Sequence, residues 1–364
     1  TISAIIAGDG GALTKSTPGT VTLTRPNLYT GATTVSLGIL KVQNSTSLGL
    51  IDGATTVTAG ATLEIDGSGL SIPEYIAFSG TGHLYTGAIR NRTGNNTLTG
   101  LLTLGTVPMI MSDTGTTLTI DTKGLSATTV GLTVGGAGNT TFTSTAPIYG
   151  TSATLTKNDS GTLTIQSLSN FRGTTTINRG TVVLSGAGAI PLSTITINSD
   201  ATLTLDNSST TILNRISDTA ALTINDGNFN FLGNTATTSY ELAGALTLST
   251  GHNTVTVTPG TGGATTMTFA SLSRTAGASV LFRGTSLGSA PAPNVSTLMF
   301  TSAPTVIGAS GAAGTTTASV IKGAFGDSSL SGSGTDMVVY NHGNTNGLRR
   351  LNGAGFSGEY ATTL

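Results

Sequence analysis

Two stretches of the chain, 142 residues apart, repeat one another without a gap. Residues 11–42 align with residues 153–184, and ten of the 32 pairs are identical. Leu13, Thr14 and Lys15 meet Leu155, Thr156 and Lys157, while Gly19, Gly31 and Gly38 meet Gly161, Gly173 and Gly180. Elsewhere one apolar or aromatic residue stands for another: Leu23 for Ile165, Tyr29 for Phe171, Val35 for Ile177. Shared glycines with interchangeable apolar residues mark one repeated supersecondary unit. Such a unit cannot bury its apolar face alone and becomes stable when neighbours stack on it.

Within each unit the apolar residues alternate. Thr20 to Thr24 reads Thr-Val-Thr-Leu-Thr, Thr162 to Ile165 reads Thr-Leu-Thr-Ile, Ala201 to Leu205 reads Ala-Thr-Leu-Thr-Leu, and Thr254 to Thr258 reads Thr-Val-Thr-Val-Thr. Period two puts Val, Leu and Ile on one face of a strand and Thr on the other. Thr suits strands and Gly punctuates turns, so the 51 glycines and abundant threonines predict an almost purely β protein. The spacing of about 8 to 12 residues between strands also fits a sandwich or barrel; the internal repeat is what favours stacked rungs. The match extends into the next segments, where Ala54 to Ile65 resembles Ser193 to Leu205, with weaker copies at Ala221–Ile224 and Ala245–Leu248.

The run Leu13-Thr-Lys, Gly19-Thr-Val-Thr-Leu, Tyr29-Thr-Gly-Ala-Thr-Thr-Val and Gly38-Ile-Leu-Lys-Val resembles the autotransporter-associated β-strand repeat. That motif recurs in bacterial autotransporter passengers and in very long bacterial surface proteins. The second copy reads Leu155-Thr-Lys, Gly161-Thr-Leu-Thr-Ile, Phe171-Arg-Gly-Thr-Thr-Thr-Ile and Gly180-Thr-Val-Val-Leu, departing at Phe171 and Arg172. The clear copies lie near 11–65 and 153–205. The resemblance implies a right-handed parallel β-helix, or β-solenoid, over 1–267, and a more irregular β-rich segment over 268–364. At roughly 20 residues per rung and about 4.8 Å between rungs, the chain would make about 18 rungs and a rod on the order of 85 Å.

From about Thr268 the texture changes. Ala290-Pro-Ala-Pro293 interrupts the alternation, and proline cannot donate to a central ladder. Residues 308–317 read as a loop, and Asp336–Tyr340, Asn346–Leu351 and Glu359-Tyr360 form a distinct tail, read as a cap or a junction to the next module or subunit. The chain opens on Thr1 without a signal peptide and closes on Ala361–Leu364 without a translocator barrel or an evident cap. Both ends read as cuts within a longer polypeptide, or as joints meeting another copy. Uncapped sheet edges add further strands, and a head-to-tail contact that does not close gives a filament.

Function classes narrow from the same residues. Fifteen Lys and Arg against 16 acids leave a net charge of −1 and no basic stripe for nucleic acid. No apolar stretch is long enough for a membrane-spanning helix. The absence of Cys removes disulfides and thiolate metal sites. Low charge with 37% hydrophobic residues argues against disorder.

Candidate sites are few. His83, His252 and His342 each stand alone among Gly, Asn and Thr, and read as turn or surface histidines. Gly284-Thr-Ser-Leu-Gly288 matches a nucleophile elbow in letters only, since no helical pattern follows. The four glutamates (Glu64, Glu74, Glu241, Glu359) include no close acidic pair of the kind glycoside hydrolysis needs, although residues from separate rungs could converge. Asp9 lies between glycines but outside any calcium-binding repeat. Lys15 and Lys157 read as one solvated charge per unit, and Arg349-Arg350 beside Asp336 or Glu359 as a solvated rather than a docking pair. Asn-x-Ser/Thr occurs at Asn44, Asn91, Asn95, Asn139, Asn158, Asn207 and Asn294, as expected by chance in such a composition. Tyr29 and Phe171 read as core packing rather than a sugar-stacking platform. The sequence therefore predicts no catalytic residue, cofactor or metal.

The reading is an extracellular structural component of a bacterial surface fibre or stalk, whose partners are copies of itself or neighbouring modules, end to end. An autotransporter passenger adhesin binding cells or glycans through its lateral face or loops is the alternative. A β-helix enzyme acting on polysaccharide is the second.

Overall fold

The computed structural model describes residues 1–122, 124–127, 130–340 and 345–360. The described residues contain no α-helix; apart from a single 3-10 turn at His83–Tyr85, every element is a strand. The chain divides into two compact units, Thr1–Val182 and Val183–Leu364.

In the first unit three parallel sheets stack rung upon rung. The first face begins with Leu13–Lys15, Thr33–Val35, Thr55–Val57 and Ile76–Phe78 and ends with Ile148–Tyr149. The second face runs from Thr20–Leu23 through Gly38–Val42, Ala61–Asp66 and Ile89–Thr93 to Leu155–Lys157 and Thr175–Ile177. The third begins later, at Ser71–Ile72, and continues through Asn95–Leu98, Thr117–Ile120 and Asn139–Phe142 to Thr162–Ile165. Register turns the alternation into columns. Leu40 pairs with Leu63, Ile89, Ile110 and Val134 in succession. Leu98 pairs with Ile120, Phe142 and Ile165. These side chains are buried, each contributing on the order of 1.5–3 kcal/mol by leaving water. The threonines between them face outward and stay half-exposed.

The two repeat copies do not occupy the same faces. Leu13–Lys15 and Thr33–Val35 pair on the first face, whereas Leu155–Lys157 and Thr175–Ile177 pair on the second. The repeat thus specifies a local two-strand rung, with about 20 residues from Leu13 to Thr33 and from Leu155 to Thr175. Between the copies the third strand joins, and rungs lengthen to as many as about 26 residues, as from Ile76 to Leu102. Gly38 and Gly180 hold equivalent corners at φ 71° and 73°. A Cβ there would also collide with the carbonyl oxygen of Gly19 or Asp159, so glycine is required twice over.

The second unit also stacks in parallel but is broader. Ala201–Asp206, Asn228–Leu232, His252–Thr258, Ser279–Gly284 and Ala324–Asp327 form one ladder. Ser239–Ala243, Thr265–Phe269 and Ser296–Phe300 form another. Parallel stacking therefore runs well past residue 268, and Pro291 and Pro293 sit in the connection before Ser296. The pattern then changes: Asp336–Tyr340 pairs antiparallel with Ala324–Asp327, and Leu348–Arg350 antiparallel with Asp336–Tyr340. The chain forms a β-solenoid of about 12 turns. The 18 expected from a uniform 20-residue rung is too many, because most rungs are longer and the last strands leave the stack.

Candidate functional site

Tyr29 and Phe171 are buried in the core, and the Tyr29 hydroxyl lies 2.6 Å from Thr33 Oγ1. The two repeat lysines are not solvated. Lys15 and Lys157 occupy inward positions, in register with Val35 and with Val134 and Ile177, and both are buried. Their ammonium groups turn back to the corner: Lys15 Nζ donates to the carbonyls of Thr17 and Leu37, Lys157 Nζ to those of Asn158, Asp159 and Arg179. Burial pulls Lys157 down to about 8, against the attraction of Asp159. Each lysine thus satisfies turn carbonyls that no strand pairs, a role that spacing alone does not reveal.

Arg349 and Arg350 are not a solvated pair either. Arg349 holds Glu359 with two bonds, 2.8 and 2.6 Å, at a buried position, and Arg350 meets Asp336 at 2.8 Å. With further donors from Gly314 and Asn352, this pairing holds Glu359 down at about 2.

His252 is less isolated than its sequence neighbours suggest. Its Nδ1 lies 2.7 Å from Ser279 Oγ, one rung on, and Asp226 accepts its backbone N–H at 2.8 Å. A catalytic triad needs the acid on the imidazole ring, opposite the serine; here Asp226 holds the backbone instead. His83 opens the 3-10 turn, its N–H donating to Thr62 Oγ1. His342 lies outside the described residues. Ser286 occupies a turn at φ 55°, whose next strand is Ser296–Phe300 rather than a helix. Asp9 lies in an exposed turn and accepts from Thr30 Oγ1 at 3.1 Å. Asn91 and Asn207 are buried, their amides engaged with Gly94 and Ile212.

Two glutamates point inward. Glu74 is buried and accepts one bond, from Thr55 Oγ1 at 3.2 Å; burial pushes it up to about 7. Glu241 Oε1 accepts the N–H groups of Arg215 and Ile216 at 2.8 and 3.0 Å, and burial pushes this carboxyl up to about 8. Arg215 itself is fully buried. Its guanidinium donates to Asn207 Oδ1 and to the carbonyls of Gly186, Gly188, Asp206 and Thr210. It organises an internal loop and is engaged on every side.

The largest surface feature is a cleft of about 650 Å³ in the first unit, at the corner between its second and third faces. In a chain that is only 9% charged, five of its eleven lining residues are charged: Arg90, Arg92, Asp113, Asp159 and Arg179. Register places Lys41, Glu64 and Arg90 side by side on three successive rungs. Buried Glu64 meets Lys41 at 3.0 Å, Arg90 at 3.2 Å and Arg92 at 3.5 Å, and Lys41 also meets Asp66 at 3.2 Å. Carboxylates that sequence spacing scatters are thus brought together, each beside a cation. Arg90 Nε and Nη2 also hold Asp113 at 3.0 and 2.6 Å, and this bond raises the arginine further. Burial alone would raise Asp66, but bonds from Gln43, Thr93 and Lys41 hold it below the usual carboxylate range. Asp159 Oδ2 accepts the N–H of Gly136 at 2.8 Å. Gly136, Ala137, Thr114 and Ser160 supply small walls. Such a corner can bind and orient a polar ligand. The sequence hides it because its members are 20 or more residues apart and meet through register.

Among known proteins, residues 13–42 and 155–184 match the family model of the passenger-associated-transport-repeat. No curated protein and no solved structure matches the chain in these comparisons. The matched segments are the two copies found by internal alignment, and each forms two-strand rungs in a parallel stack. No helix among the described residues is long and apolar enough to cross a membrane. The matched repeat is one of secreted surface passengers. With these repeats set in a β-solenoid, the chain fits an autotransporter passenger-like protein.

Proposed function

We propose that this chain is a structural segment of a secreted bacterial surface passenger, a stiff spacer without catalytic activity that holds other parts of the passenger away from the cell. The observation that carries this reading is the continuity of the parallel ladders within each unit, with apolar columns inside and neutral threonines outside. Every rung hydrogen-bonds the next, so local opening at a corner leaves the ladder intact, and few charged or extended loops are offered to proteases. Adhesion through the lateral surface is the second reading, favoured by the charged cleft. End-to-end association of copies is the weaker one, because the parallel ladder closes in an antiparallel hairpin.

An epitope placed between Leu84 and Tyr85, both largely exposed, tests the first reading in the producing bacterium. Antibody is expected to label intact cells, and protease added outside is expected to leave a resistant core. Labelling only after lysis, or digestion as fast as that of an unfolded chain, would remove it. Imaging the purified chain at two concentrations decides the assembly question: filaments that lengthen with concentration support copies joined at their ends, and discrete particles at both exclude it.

A further inference from the structure

We propose that the corner cleft of the first unit binds an acidic saccharide, a hydroxyl-rich chain carrying carboxylate or sulfate groups, with Arg92 as the anion's anchor. The spacer reading does not require this site, and failure of one leaves the other standing.

The argument is an account of donors and acceptors. Both oxygens of Asp113 are taken by Arg90, and one oxygen of Asp159 by Gly136. Arg90 is fixed between Asp113 and Glu64, which sets its plane. Arg92 differs. Its one ion pair is a 3.5 Å approach to a carboxylate already held by Lys41 at 3.0 Å and by Arg90 at 3.2 Å, and its side chain is 47% exposed. A planar guanidinium in that position presents paired donors suited to a carboxylate or sulfate. The rest of the cleft is not simply cationic. Remaining acceptor capacity on Asp159, the hydroxyls of Thr93, Thr114 and Ser160, and the partly apolar side chain of Met111 provide partners for sugar hydroxyls and a surface for a ring. A bare phosphate would not use these groups, and nucleic acid would need a longer run of positive charge. About 650 Å³ lies within the ~300–1,000 Å³ usual for small-ligand sites. The lining residues come from five successive corners, from Arg90–Thr93 to Arg179. At about 4.8 Å per rung that is a span of roughly 19 Å, which suits an extended oligomer better than a single sugar.

The test is retention of the purified full chain by electrophoresis through gels containing polygalacturonate, heparin or neutral dextran. Retention by either acidic polymer and not by dextran is expected, and the two acidic arms separate carboxylate from sulfate. Arg92→Ala is expected to weaken retention roughly tenfold or more. Ala137→Trp, which fills the cleft without changing charge, is expected to weaken it comparably. Arg25→Ala removes an exposed arginine elsewhere in the same unit and is expected to leave retention unchanged. The proposal is overturned if no acidic polymer is retained above dextran, or if Arg25→Ala matches Arg92→Ala, which would mean diffuse charge attraction. Normal retention of Ala137→Trp, with its strand circular-dichroism signal intact, would also overturn it.

Discussion

The two units solve the same packing problem with different side chains. In the first, aromatic residues enter the core singly, Tyr29, Phe78, Phe142 and Phe171 each set among aliphatic columns. In the second, rings meet: Phe229 with Phe269 and Phe269 with Phe300 at 6.0 Å, Phe282 with Phe300 at 6.2 Å, and Phe300 with Tyr340 at 5.6 Å. The difference follows rung length. Steps of about 20 to 26 residues enclose a section that Leu, Ile and Val fill, whereas the step from Thr265 to Ser296 is about 31 residues. A wider section needs bulkier side chains to reach interior packing density. Solenoid stability therefore comes from matching side-chain volume to rung circumference, and Phe300, which touches three other rings, is where the second unit depends on that match most.

That comparison can be broken most directly by truncation. Phe300→Ala is expected to cost about 3–5 kcal/mol and Leu118→Ala about 2–4 kcal/mol, read as loss of unfolding free energy in denaturant titrations. Equal losses, or a larger loss at Leu118, would show that ring clustering adds nothing beyond burial. The units should also differ in pH response. Glu74, in the first unit, has its folded pKa raised to about 7 from 4.5. Its stabilising contribution is complete below about pH 4.5, declines as pH rises to about 7, and is flat above. Glu74→Gln should therefore gain about 1–2 kcal/mol over the parent at pH 8, after allowance for screening, and little at pH 4. Glu359, in the second unit, is lowered to about 2. Its contribution is present above about pH 4.5 and is lost as pH falls through 2, so Glu359→Gln should flatten the acid limb of the melting profile. The smallest effect is expected on the outward face. Thr119→Val should change stability by less than about 0.5 kcal/mol, and a larger loss by thermal melting would mean that the outer hydroxyls take part in holding the rungs together.

Strand faces were legible because alternation is local: Leu98, Ile120, Phe142 and Ile165 face inward as their spacing implies. Glycines shared by the repeats, such as Gly38 and Gly180, were legible as corners. The faces themselves were not, since the copies begin one face apart. Register depends on the sum of every preceding turn length, and these vary from rung to rung. For the same reason the meeting of Lys41, Glu64, Arg90 and Asp113 could not be read from spacing. Lys15 and Lys157 misled in another way. A charged residue in an alternating strand suggests solvent, but a long aliphatic stem can lie in the core while its ammonium returns to the turn carbonyls.

The 3-10 turn at His83–Tyr85 has a consequence for how such a scaffold changes over time. Leu84 and Tyr85 are 79% and 78% exposed and both adopt left-handed backbone conformations, at φ 51° and 61°. They lie in the longer step from Leu63 to Ile89, yet those two residues pair in the same ladder as the shorter rungs around them. The corner has absorbed additional residues outward with no shift in the strands on either side. Lengthening a closed loop costs only about 0.6 kcal/mol per doubling, so insertions at this corner are nearly free energetically. The ladder fixes the scaffold while its corners remain open to graft, and a lineage can acquire new surface chemistry there without refolding anything beneath it.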